Sequence, residues 1–273
     1  MSGPERLRVD SQGVSLHVER WGTRGPVVVL GHGFGGSARN FRPQARFLAS
    51  VAQVVLFDAR GHARSDAPPD AASYRPSSFV ADLSAILDGL RVRRAIVGGL
   101  SMGAGIALRF TLEHPERVAG LALSAFPRAV DEPEHVPWAL EFARSIERDG
   151  LDVAGERAIW GRFDGQAREL IRQGFLEHQP QALAHVLREL IAIQPAPAAI
   201  PGLESIRAPT AVIVGALDGP SLGPCRTLGR RIPGAELSEV AGAGHVVNLS
   251  HAAEYNRILS RLVERARSRG EPS

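Results

Sequence analysis

Short, β-branched apolar runs alternate along this chain with longer segments whose apolar positions recur at helical spacing. Runs at Val27–Leu30, Val54–Phe57, Arg94–Gly98, Val118–Ser124, Thr210–Gly215 and Glu236–Val240 predict strands, and Leu7–Val9 with Val14–Arg20 predicts a hairpin ahead of them. Helical patterns fill the intervals, most clearly at Pro76–Leu90, Met102–His114 and Val247–Arg267. This alternation predicts an α/β fold: a mostly parallel, eight-stranded sheet with helices on both faces. It breaks after Phe126-Pro127. From residue 128 to residue 200 the pattern is helical, with no clear strand, and is punctuated by Pro133, Pro137, Gly150, Pro180, Pro195 and Pro197. Sheet-type sequence resumes at Thr210.

Composition narrows the class. The 273 residues suffice for a large core, and no apolar run reaches the length of a membrane span. The first residues lack the apolar stretch of a signal peptide, and Cys225 is the single cysteine, so a cytoplasmic location without disulfides is expected. All 32 basic residues are arginines, yet the net charge is only +3. Arg257, Arg261 and Arg265 are spaced by four and interleave with Ile258, Leu259, Leu262 and Val263, which predicts a solvated helix face and no nucleic-acid partner. No histidine or cysteine cluster has metal-ligand spacing, and no nucleotide-binding glycine motif is present, so neither metal nor cofactor is expected. Oligomeric state has no signature here.

The chemistry concentrates where apolar runs end. Gly99-Leu100-Ser101-Met102-Gly103 closes one run and opens a helical segment. This G-x-S-x-G pattern places a serine hydroxyl on a tight strand-to-helix turn. Gly31-His32-Gly33-Phe34-Gly35-Gly36 closes another, and its glycines let a backbone N–H turn inward. The Phe34 and Met102 N–H groups are the candidate oxyanion hole. Asp218 follows a third run and His245 follows a fourth. A serine needs a base to take its proton, histidine does so near neutral pH, and a carboxylate fixes the histidine tautomer. In a parallel sheet, residues just beyond strand ends gather on one edge, where ligands bind.

These segments resemble the α/β-hydrolase fold superfamily, in which the acid and histidine follow the nucleophile in the order seen for Ser101, Asp218 and His245. Asp58-Ala59-Arg60-Gly61-His62-Ala63-Arg64-Ser65 is similar to a further segment of that family, with Ala63 in place of a glycine; the resemblance implies structural roles for Asp58 and His62. It also implies a core of residues 1–127 and 201–273, with residues 128–200 inserted after the sixth strand as a helical cap. The cap carries Trp138, Phe142, Trp160, Phe163 and Phe175; of these Trp138, Phe142 and Trp160 join His32 and Gly33 as candidate pocket residues. His32 is expected chiefly to support its loop, and His135, His178 and His185 are expected on the cap surface.

The elbow serine argues against haloalkane dehalogenases and epoxide hydrolases, which carry a carboxylate there. The resemblance to small-ester carboxylesterases and 3-oxoadipate enol-lactonases implies hydrolysis of a small carboxylic ester or lactone through an acyl-enzyme. The alternatives are carbon–carbon hydrolysis of a vinylogous diketone, as in aromatic meta-cleavage, and a ligand-binding member of the fold without catalysis.

Overall fold

The structure, a computed structural model, describes residues 3–127, 132–162 and 165–268. Residue 128, where the cap is expected to begin, and Phe163 lie outside the described residues. Glu5–Ser11 (β1) and Val14–Trp21 (β2) form the antiparallel hairpin. Val27–Gly31 (β3), Arg42–Leu48 (α1), Gln53–Phe57 (β4), Pro76–Gly89 (α2), Ala95–Leu100 (β5), Met102–Glu113 (α3) and Val118–Ser124 (β6) follow in alternation. After β6 come His135–Ala158 (α4), Gly165–Leu176 (α5) and Pro180–Val186 (α6). Thr210–Gly215 (β7), Gly219–Arg231 (α7), Glu236–Val240 (β8), Val247–Ser250 (α8) and Ala252–Ser268 (α9) complete the described chain. The eight strands make one sheet in the order β1-β2-β4-β3-β5-β6-β7-β8. From β4 to β8 every neighbouring pair is parallel.

Period-two alternation sorts the strand residues onto two apolar layers. Val29, Val55, Phe57 and Val97 face α2, α3 and the helices after β6. Val28, Leu30, Val54, Leu56 and Ile96 face α1 and α9. Helix α9 meets the sheet through Tyr255, Ile258, Leu259, Leu262 and Val263, at the spacing of one helical face. Its basic residues lie on the other side. None of the described helices is long and apolar enough to cross a membrane.

Two details depart from the periodicity. The single helix expected over Val247–Arg267 is two, broken at His251 (φ −128°, ψ 49°). The Asn248 amide donates to the Asn40 carbonyl, and the Asn248 carbonyl accepts from Gln44. That anchor holds the short α8 against the β3 side, so the chain must turn before α9 can lie on the sheet. Helix α1, only seven residues long, has too few turns to show a period.

A buried ionic cluster fixes the loop after β4 beneath the β3 loop. Asp58 accepts the Ala38 N–H and the Arg64 guanidinium, and Glu19 accepts Arg42 and Arg64. Burial by itself would raise the Glu19 carboxyl, but the two guanidiniums outweigh it and bring it from 4.5 down to about 2. The stabilisation this implies is fully present above pH about 4.5 and is lost as pH falls through about 2. Glu19→Gln is therefore expected to destabilise the protein by about 3 kcal/mol at neutral pH, and the difference from wild type should vanish near pH 2. Urea midpoints of both proteins across that range check it. Ala63 (φ 44°) takes a left-handed conformation in this loop, where a glycine would be unstrained.

Candidate active site

Strand β5 ends at Leu100, α3 begins at Met102, and Ser101 makes the whole turn between them. Its backbone sits at φ 54°, ψ −112°, a strained region for any residue with a side chain. Hydrogen bonds hold it there: the Ser101 N–H donates to the Ser124 carbonyl at 2.8 Å, and the Ser101 carbonyl accepts from Gly105. The turn also needs bare backbone beside it, because a Cβ on Gly103 would collide with the Gly31 carbonyl. Ser101 thus stands at the start of α3, whose first N–H groups have no acceptor within the helix.

Strands β7 and β8 are adjacent and parallel, so their C-terminal loops meet. The Leu217 N–H donates to the Ala243 carbonyl and the Ala216 N–H to the Val240 carbonyl. Asp218 is buried at the start of α7, and His245 Nδ1 lies 2.8 Å from Asp218 Oδ2. With Nδ1–H donating to the carboxylate, Nε2 of the neutral ring is free to act as a base. From His245 the chain crosses the sheet edge to reach Asn40, where Asn248 is anchored beyond the β3 loop. Ser101, Asp218 and His245 therefore lie on one edge of the sheet, with Asp218 and His245 in direct contact.

The β3 loop stands against the elbow. A Cβ on Gly33 would sit 3.6 Å from the Ser101 Cβ, so nothing bulkier than glycine backbone lies between them. Gly36 N–H donates to the Gly33 carbonyl at 3.0 Å, closing residues 33–36 into a turn with Gly35 at φ +67°. His32 Nδ1–H donates to the Gly33 carbonyl at 2.8 Å, and its Nε2 accepts the Ala59 N–H at 3.0 Å. Burial holds the His32 ring neutral, with its pKa lowered to about 4. Both nitrogens are thus committed to backbone, and His32 supports the loop instead of lining a pocket.

The aromatic side chains of residues 132–200 divide in a similar way. Phe142 stands edge-on to Phe34, with ring centroids 5.8 Å apart, and Trp138 lies beside Phe142, itself 41% exposed. Trp160, a pocket candidate by sequence, is fully buried under Phe175 and against Gly155, where it packs the interior of the helices that follow β6. The three histidines expected on that surface are buried. His135 Nε2 donates to the Ile191 carbonyl, His185 stacks on Tyr74, and His178 reaches the Gly36 carbonyl. Their burial is not marked locally, since Ile191, Tyr74 and Gly36 are each distant in sequence from the histidine they meet.

Other candidates for chemistry are occupied. Burial pushes the Cys225 thiol up to about 12, which suppresses the thiolate. Tyr74 donates its hydroxyl to the Pro68 carbonyl, and the Tyr255 hydroxyl is paired with Ser124. No three histidine, cysteine, aspartate or glutamate side chains gather as a metal site among the described residues.

Known proteins share this fold. A sequence profile described as the alpha/beta hydrolase fold matches residues 26–146. A thermophilic esterase from Thermogutta terrifontis superimposes over 96% of this chain and 99% of its own at a TM-score of 0.83, with 24% identity. The chain has the α/β-hydrolase fold. An enol-lactonase from Burkholderia xenovorans LB400 matches over 94% of this chain and 100% of its own, at a TM-score of 0.82 and 24% identity. A Bacillus subtilis (strain 168) protein provisionally named 2-succinyl-6-hydroxy-2,4-cyclohexadiene-1-carboxylate synthase is 26% identical over 86% of this chain and 89% of its own. An epoxide hydrolase of Caballeronia sordidicola is 35% identical over 42% of this chain, which is 35% of that protein's length.

Proposed function

We propose that this α/β-hydrolase cleaves a small carboxylic ester or lactone through an acyl-enzyme on Ser101. The observation that carries the reading is a strained elbow serine on the same sheet edge as a His245–Asp218 pair at 2.8 Å. Ser101 Oγ attacks the carbonyl carbon while His245 Nε2 takes its proton. Asp218 keeps the proton of His245 on Nδ1 and stabilises the imidazolium that forms. The Phe34 and Met102 N–H groups receive the oxyanion, each contributing about 10²–10³ in rate. His245 then protonates the leaving alkoxide, and a water activated by the same ring releases the acid. The helices that follow β6 serve as a cap over this edge, with Phe142 beside Phe34 and Trp138 beside Phe142.

Similarity to an esterase and an enol-lactonase over nearly the whole chain is compatible with the substrate class. A Vigna radiata epoxide hydrolase matches as fully, over 97% of this chain at a TM-score of 0.79 and 20% identity, so overall likeness does not separate the two chemistries and the site must. Serine at the elbow weighs against an epoxide, and both tyrosine hydroxyls, which could protonate an opening epoxide, are already bonded elsewhere. A panel of short-chain p-nitrophenyl esters, a cyclic lactone, a vinylogous diketone and an aryl epoxide tests the reading. Saturable turnover of esters or lactones is expected. Turnover confined to the epoxide or the diketone, or ligand binding with no turnover of any member, would contradict it.

A further inference from the structure

The loop that carries the Phe34 N–H is gripped from two sides. His32 holds it from the sheet. On its other side lie the end of α5 and the residues just beyond. The Phe175 ring packs on Gly35 so closely that a Cβ at that position would lie 2.5 Å from a ring carbon. Phe34 stands edge-on to the same ring, with centroids 6.1 Å apart. His178, 5% exposed, places Nε2 at 3.0 Å from the Gly36 carbonyl and Nδ1 at 2.9 Å from the Phe175 carbonyl. Arg39 pairs with Glu177 at 2.6 Å. Residues 34, 35, 36 and 39 thus each meet a residue of the segment 175–178.

This segment bears on the feature that decides whether an oxyanion donor exists. Glycines at 33, 35 and 36 leave the turn free to rotate its peptide planes. A rotated plane would present a carbonyl where the N–H is needed. The hydrogen bond from Gly36 to Gly33 makes residues 33–36 move together, so a restraint at Gly35 and Gly36 acts on Phe34. We propose that Phe175 and His178 are positioning residues for the Phe34 oxyanion donor, so that docking of the inserted helices is part of assembling the active site. The inference rests on the ester-hydrolase reading.

The test compares wild type, His178→Ala, His178→Gln and Phe175→Leu on a p-nitrophenyl ester, with a trifluoromethyl ketone as a probe that forms an oxyanion on the serine. In His178→Ala, kcat is expected to fall about tenfold to a hundredfold, part of what a lost donor removes. Ketone affinity should weaken by the same factor while KM stays within about twofold, because ester binding does not use the donor as the oxyanion does. Glutamine, which retains an N–H for the Gly36 carbonyl, should recover most of the loss. Phe175→Leu keeps the interior filled and should repeat the effect independently. Amide exchange of residues 34–36 should quicken in the alanine variant without change in β3 or α3. Variants with wild-type kcat and ketone affinity, or a loss expressed wholly in KM, overturn the inference while leaving the hydrolase reading intact. A wild type that neither turns over esters nor forms the ketone adduct overturns both.

Discussion

Replacing Ser101 by alanine is expected to lower ester turnover by about 10⁴–10⁶ while leaving the fold unchanged. The size follows from the chemistry: without the hydroxyl there is no covalent intermediate, and only the oxyanion donors and substrate binding remain to assist water. Retention of the fold follows from the geometry, because the elbow is held by backbone hydrogen bonds to Ser124 and Gly105 and by bare backbone at Gly103, none of which involves Oγ. Alanine at φ 54° carries the strain that serine carried. Steady-state rates and thermal midpoints of the two proteins check both halves. A variant that keeps a tenth of wild-type turnover would mean that Ser101 is not the nucleophile.

Asp218→Asn is expected to lower kcat by about 10⁴ with little change in KM. Asp218 is buried beneath His245 and accepts its Nδ1–H at 2.8 Å. A carboxamide can turn its NH₂ toward Nδ1, which drives the ring proton to Nε2. The ring then faces the serine as a donor and cannot accept its proton. The imidazolium that forms during attack also loses the adjacent negative charge. Because the change acts on proton transfer and not on a substrate contact, the loss should fall on kcat. An effect below about tenfold would show that another group orients His245.

The strands and the candidate constellation are legible in the sequence because both rest on local rules. Val27–Leu30 and Thr210–Gly215 are buried on both faces and therefore read as continuous apolar runs, each ending in the glycine that opens a functional loop. Ser101, Asp218 and His245 were found by their places just after such runs. What escaped local reading depends on distant partners. His178 looked like a surface residue because the carbonyl it meets, at Gly36, is 142 positions away. Trp160 looked available to a ligand because its cover, Phe175, belongs to another helix. The break at His251 is imposed by Asn248 reaching Asn40, and no periodicity encodes it. The kink in α4 at Gly150 (φ 81°, ψ 169°), by contrast, falls at a glycine that punctuates the helical pattern in the sequence. Ala63 stands in place of a glycine, and its positive φ makes it a strained position within the loop held by Asp58, which the sequence pattern does not reveal.

The central claim is a covalent acyl intermediate on Ser101. Acid-quenching the enzyme during turnover of a slowly deacylating p-nitrophenyl ester, followed by intact-mass and peptide-mass analysis, tests it most directly. The account predicts a mass increase of one acyl group, confined to the peptide bearing Ser101 and absent from Ser101→Ala. An active enzyme with no adduct under these conditions, or with the acyl group on another residue, would contradict it.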